Sequence, residues 1–174
     1  MIPDKEQFPQ DTGALGSPER RDAMPRRSDS EPPNRKRRRQ ARVLIVGEDD
    51  FVESVAARLN DAGHATETHH AGAGAHRAFS ISRPDLLILS LMLSDMPGVR
   101  LIEQLKDTGS LPPVIVVADQ GDERAAVEFM RLGAEDYLIK DGEFMELLPM
   151  VVARALDRNR QVSKLALAER ALTQ

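Results

Sequence analysis

Residues 84–98 read PDLLILSLMLSDMPG, and the fold is decided by how this stretch begins and ends. Pro84 punctuates the start, Leu86 to Leu89 form a continuous apolar run of strand length, and a loop follows that reaches Pro97 and Gly98. A short apolar run bounded by turn residues is consistent with a buried strand of a parallel sheet. In open α/β sheets the chemistry gathers at the carboxyl ends of such strands. The residue at that end is Ser90.

Working outward, the same rhythm repeats. Val43 to Val46 is a second apolar run, followed by the acidic turn Gly47-Glu48-Asp49-Asp50. Val52, Val55, Ala56 and Leu59 then recur at helical spacing until Gly63. Residues 65–69 (ATETH) alternate as a polar edge strand, and AGAGA at residues 71–75 leads as a loose loop into a small-residue helix around Ala73 to Ile81. A helix from about Val99 to Lys106 carries Leu101, Ile102 and Leu105 on one face. Pro112 and Pro113 introduce a strand over Val114 to Val117, a helix from about Asp122 to Leu132 stops at Gly133, and a fifth strand from Asp136 to Ile139 ends at Lys140. The last helix begins near Gly142. Strands alternating with helices imply βαβ units. Five strands joined in this way predict an α/β fold, a five-stranded doubly wound parallel sheet of flavodoxin-like order 2-1-3-4-5, with its crevice at the ends of strands 1 and 3.

Composition narrows the function classes. With 174 residues the chain holds one ordinary domain with length to spare. It has no cysteine, which excludes thiolate metal sites, thiol nucleophiles and disulfide frameworks and suits a cytoplasmic protein. No apolar run approaches the length of a membrane span. The net charge of −4 conceals a split, because residues 1–42 carry 11 Lys/Arg against 7 Asp/Glu while the remainder is strongly acidic. The first 41 residues hold six of the eleven prolines and few large apolar side chains, the signature of a disordered tail. Its basic run Arg35, Lys36, Arg37, Arg38 and Arg39 reads as a solvated linker, as a non-specific contact for nucleic acid or an anionic surface, or as a localisation signal. No aromatic side chain is interleaved to stack on bases, so sequence-specific binding has no support there.

Four segments in order and at matching spacing, RVLIVGEDD, PDLLILSLMLSDMPG, PPVIVVAD and GAEDYLIKD, resemble the receiver domain of two-component response regulators, the chemotaxis-type phosphoacceptor fold. The resemblance covers residues 42 to about 157. It implies an acidic pair after strand 1, a phosphoacceptor aspartate ending strand 3, a hydroxyl residue ending strand 4, and a lysine ending strand 5. Carboxylates there hold magnesium, while the metal and the lysine neutralise charge on the transferring phosphoryl group. In this chain Glu48 and Asp49 are assigned to the acidic pair, although a helix spacing one residue shorter also permits Gly47 and Glu48. Lys140 matches the lysine and Tyr137 the switch aromatic. Ser90 replaces the acceptor aspartate, Ala118 the hydroxyl residue, Asp119 the small residue after it, and Asp141 the proline after the lysine.

Those losses predict a degenerate receiver, not an enzyme, that works by protein–protein contact without aspartyl phosphorylation. A serine hydroxyl is a weak nucleophile without a base beside it, and Ala118 has no oxygen to bond a phosphoryl group. Magnesium then has only Glu48 and Asp49 as weak candidate ligands, with Lys140 expected to balance them as an ion-pair cluster. Asp95 is expected to form a turn or cap the helix that follows. His64, His69, His70 and His76 read as surface residues, with His69 and His70 on opposite faces of the edge strand. Two further readings stay open: a phosphorelay receiver with an unconventional acceptor, and a nucleic-acid-associated regulator acting through the basic tail. The resemblance implies a signalling partner such as a histidine kinase or an output module.

Leu148, Val151, Ala155, Val162, Leu165 and Leu172 fall on heptad a and d positions, interrupted by Arg158 and Glu169. A fifth helix packed on the sheet accounts for residues up to about Leu156. Residues 158–174 are expected to form a helical extension that pairs with a second copy or feeds an output module.

Overall fold

The computed structural model describes residues 39–173, so four members of the basic run, Arg35, Lys36, Arg37 and Arg38, lie outside the described residues. Five strands alternate with five helices. They are β1 (Arg42–Val46), α1 (Asp49–Asp61), β2 (Ala65–His69), α2 (Gly72–Ile81), β3 (Leu86–Ser90), α3 (Gly98–Asp107), β4 (Val114–Asp119), α4 (Glu123–Arg131), β5 (Asp136–Lys140) and α5 (Phe144–Leu172). The sheet is parallel with strand order β2-β1-β3-β4-β5, the expected doubly wound topology. β4 runs two residues further than the expected Val117, so Ala118 and Asp119 belong to the strand.

Both faces of the sheet are covered, which is why β1, β3 and β4 are apolar at nearly every position. Successive strand side chains point to opposite faces. Val43, Ile45, Leu86, Ile88, Ile115 and Val117 pack against α1 and α5, whereas Leu44, Val46, Leu87, Leu89, Val114 and Val116 pack against α2, α3 and α4. The polar β2 lies at one edge beside β1.

Parallel registry then brings one end of the strands together. Ser90 stands beside Val117, Asp119 beside Lys140, and the residues after Val46 beside the end of β2 at His69. Ser90 and Gly47 each follow a residue of the α2–α4 face, so both turn toward α1.

The fifth helix is a single 29-residue element, and the expected boundary at residue 157 does not interrupt it. Pro149 sits inside its second turn and cannot donate to the carbonyl of Met145. That carbonyl instead accepts a hydrogen bond of 3.1 Å from Nε of Arg58 on α1. Leu148, Val151, Val152, Ala155 and Leu156 are buried against the sheet. Beyond them the helix leaves the core, and Val162, Leu165 and Leu172 are 64%, 65% and 88% exposed.

Candidate functional site

A cleft of about 350 Å³ opens at the carboxyl end of the sheet, where Glu48, Ser90, Asp119 and Lys140 meet. Its other wall is largely apolar, built from Leu91, Met92 and Pro97 of the β3–α3 loop and from Ala125 and Phe129 of α4. Four carboxylates line it, those of Glu48, Asp119, Asp122 and Glu128, against the one ammonium of Lys140.

Ser90 is 6% exposed, and its Oγ is buried with no hydrogen-bond partner. A buried hydroxyl without a partner carries a desolvation penalty, and no base stands within hydrogen-bonding reach to activate it. Ser90→Ala should therefore raise stability by about 1 kcal/mol, read as a higher urea midpoint at unchanged slope. A lower midpoint would mean that the hydroxyl has a partner and does structural or chemical service.

Gly47 explains how the serine is enclosed. A Cβ at Gly47 would stand 2.4 Å from Ser90 Oγ and 2.6 Å from Cδ1 of Phe51. The space that a side chain at 47 would need is filled by the serine and the phenyl ring. Phe51 comes from the first turn of α1, stacks on Phe144 at a centroid distance of 6.3 Å, and carries Lys140 Nζ 4.8 Å above its ring. Its neighbours make it a plug at the base of the cleft. Sequence reasoning missed Phe51, because an apolar residue beside an acidic turn carries no sign of which strand end it will face.

The acidic turn divides. Glu48 lines the cleft, whereas Asp49 opens α1 and its carboxylate pairs with His70 Nδ1 at 2.8 Å. The two residues that face Ser90 and the cleft are thus Gly47 and Glu48, the alternative register of the sequence reading. Lys140 does not bridge Glu48 and Asp49 as expected. Its Nζ lies 3.3 Å from Asp119 Oδ1, because Asp119 is its registered neighbour on β4 while Asp49 is engaged by His70.

His70 differs from expectation as well. β2 ends at His69, so His70 lies past the strand and curls over the end of β1, with Nδ1 3.3 Å from the carbonyl oxygen of Gly47. The signal was available in the topology: the residue after β2 must lie beside the residue after β1 when the two strands are parallel neighbours. His69 pairs instead with Glu67 at 2.9 Å.

Ala118 is buried and presents only a methyl group. Tyr137 is 39% exposed on β5. Asp141 turns from the cleft and accepts a 3.0 Å bond from the Glu143 amide just ahead of α5. Asp95 does cap a helix, but not the one that follows it. Its carboxylate accepts bonds from the amides of Gly72 and Ala73 at 2.6 and 3.0 Å, closing the amino terminus of α2. Those two bonds, the Ala73 amide first, hold its carboxyl below the usual range. The glycine-rich stretch at 71–75 is accordingly helix rather than loop from Gly72 onward.

The order of strands, the cleft at the ends of β1 and β3, and the lysine closing β5 are the marks of one family. The family model for the response regulator receiver domain matches residues 43–152. This chain belongs to the response regulator receiver family. Among curated relatives, response regulator MprA of Mycobacterium ulcerans is 33% identical over 122 residues, which are 70% of this chain and 52% of that protein. MprA of Mycobacterium tuberculosis H37Rv is 33% identical over 108 residues, 62% of this chain and 47% of that one. The chain spans about half the length of the curated relatives it matches. Among solved structures, the receiver domain of NtrX from Brucella abortus superposes with a TM-score of 0.63 at 30% identity, covering 66% of this chain and 98% of that one. A longer crystal structure of NtrX from Brucella abortus gives a TM-score of 0.69 at 28% identity over 73% of this chain and 29% of its own.

Receivers hold magnesium in their phosphorylation site, and the residues of this receiver do not fit that ion. Magnesium demands octahedral oxygen coordination drawn largely from carboxylates. Here the end of β3 supplies a hydroxyl, the position after β1 is glycine, and Glu48 alone remains of the expected donors. Among the described residues, no three His, Asp or Glu side chains converge on a metal-sized site. No helix of the described residues is long and apolar enough to cross a membrane.

Proposed function

We propose that this receiver signals through protein–protein contact and does not run aspartyl phosphorylation. The observation that carries the reading is the state of Ser90: a buried Oγ with neither base nor hydrogen-bond partner, walled in by Gly47 and Phe51. Phosphoryl transfer depends on positioned charge, with cations gathered around the transferring oxygens. Four carboxylates around one lysine make the opposite field. Ala118 adds no hydroxyl to read a phosphoryl group, so the link between that pocket and Tyr137 is missing as well.

The contact surface in this reading is formed by α4, β5 and α5. Val127, Tyr137, Leu147 and Met150 are large exposed apolar side chains, and all four fall on those three elements. A signalling protein such as a histidine kinase or an output module is the partner class that family membership supplies.

The test is incubation of the full chain with acetyl phosphate and magnesium, followed by intact-mass measurement. No mass gain is expected. A second reading has one specific observation behind it: Asp119 is a carboxylate beside Lys140 in the same cleft. A gain of one phosphate that disappears in Asp119→Asn would establish that unconventional acceptor and overturn the first reading.

A further inference from the structure

The far half of α5 carries an apolar stripe that no part of the described chain covers. Val162, Leu165 and Leu172 continue the heptad frame of Leu148, Val151 and Ala155, but they lie beyond the sheet and face solvent. From Arg158 to Leu172 the helix projects about 22 Å at 1.5 Å per residue. Isolated helices of this length are marginal in water unless an apolar face is packed.

Two charges interrupt the stripe, Arg158 at a d position and Glu169 at an a position. Their spacing selects both the partner and its direction. If a second copy ran parallel, each layer would face its own equivalent, placing Arg158 against Arg158 and Glu169 against Glu169. If it runs antiparallel, a positions face d positions. One register then sets Val162 against Leu165 of the second copy and Arg158 against its Glu169, with every pair repeated by the two-fold axis. Sliding by one heptad in either direction sets Arg158 against Val162 or Glu169 against Leu165, leaving a charge on an apolar side chain. The flanking e and g residues, Asn159, Gln161, Ala166 and Ala168, are uncharged and oppose none of these arrangements.

The underside of the domain supplies the seat. A groove of about 420 Å³ runs between the α5 extension and the turn before β4, lined by Leu111, Pro112 and Pro113 on one side and by Arg158, Val162 and Leu165 on the other. An antiparallel helix from a second copy would lie along the α5 side of this groove, against Arg158, Val162 and Leu165. Arg158 already donates to Glu135 at 3.1 Å from one guanidinium nitrogen, and its planar fork retains further donors for a second carboxylate.

We propose that this protein forms a two-fold symmetric homodimer through an antiparallel pairing of the α5 extensions, registered by reciprocal Arg158–Glu169 ion pairs. The inference is independent of whether the cleft carries a phosphoryl group, since none of its residues lines that cleft.

Sedimentation equilibrium on the full chain tests it, with a dimer expected. Glu169→Arg sets like charges face to face twice and is expected to raise the dissociation constant at least tenfold, as is Arg158→Glu. Combining the two reversals is expected to restore the dimer, because the antiparallel pairs are re-formed with exchanged sign. Leu167→Ser, on the opposite side of the helix, is expected to leave association unchanged. The absence of native cysteine allows a second check with Leu172→Cys. The two introduced thiols lie about 25 Å apart in the antiparallel register, so no oxidative cross-link is expected. A monomeric wild type, a double reversal no tighter than either single one, or efficient cross-linking through residue 172 would each overturn the proposal.

Discussion

Gly47→Asp, the substitution that would add a carboxylate at the first residue after β1, is expected to cost about 2–4 kcal/mol of folding stability. The cause is first steric. The new Cβ would stand 2.4 Å from Ser90 Oγ and 2.6 Å from the Phe51 ring, and both neighbours are held in the packed interior. The second cause is electrostatic, since the carboxylate would join Glu48 at a site where Lys140 is already committed to Asp119. Gly47→Ala separates the two, because it carries the clash without the charge. Urea unfolding of both variants reads the difference. A loss below about 0.5 kcal/mol for either, the range of ordinary surface substitutions, would show that the turn accommodates a side chain and that the pocket is not closed by packing.

Phe51→Ala should be as damaging, at about 3–4 kcal/mol, the usual cost of removing a buried phenyl ring. Phe51 is buried among Val52, Val55 and the β1 residues, stacks on Phe144, and carries the Lys140 ammonium on its face. Removal leaves a void under the cleft and frees Lys140 from the ring. A double-mutant cycle with Phe144→Ala should return a coupling of about 1 kcal/mol, isolating the stacking from the burial. Additive losses would mean that the two rings merely share a core. A total loss under about 1 kcal/mol for Phe51→Ala would rule out its role as a plug.

Together these two expected results test whether packing, as well as residue identity, shapes the end of the cleft around Ser90. The turn after β1 offers a glycine whose side-chain space is taken by Ser90 Oγ and the Phe51 ring, and β4 offers only a buried methyl group at Ala118. The cleft itself is open, and it is the side-chain space at Gly47 that Ser90 and Phe51 fill.

Much of this was legible in the primary structure. The continuous apolar runs at Val43, Leu86 and Val114 identify buried parallel strands because both sheet faces are covered by helices. ATETH identifies the edge because one side of that strand meets water. Ser90 and Lys140 could be assigned to strand ends from the apolar pattern, whereas Ala118 was placed only by the family resemblance and β4 runs on to Asp119. The acidic turn was harder. Glu48, Asp49 and Asp50 are consecutive, and a helix starting one residue earlier or later changes which of them faces the cleft. Asp95 escaped for a different reason. Its capping partners lie more than twenty residues earlier in the chain, at a helix end that only the fold brings near.

The amino-acid sequence by itself determined the five βα repeats, the strand order, the serine at the end of β3, and the heptad stripe with its two charges. These are local or periodic properties, carried by which side chains recur at spacings of two, three and a half, or four residues. The tertiary structure alone decided what each polar group meets: Asp49 with His70, Lys140 with Asp119 and the Phe51 ring, Ser90 with nothing. Such pairings depend on distances between segments far apart in the chain, where a shift of one residue in register moves a side chain to the opposite face.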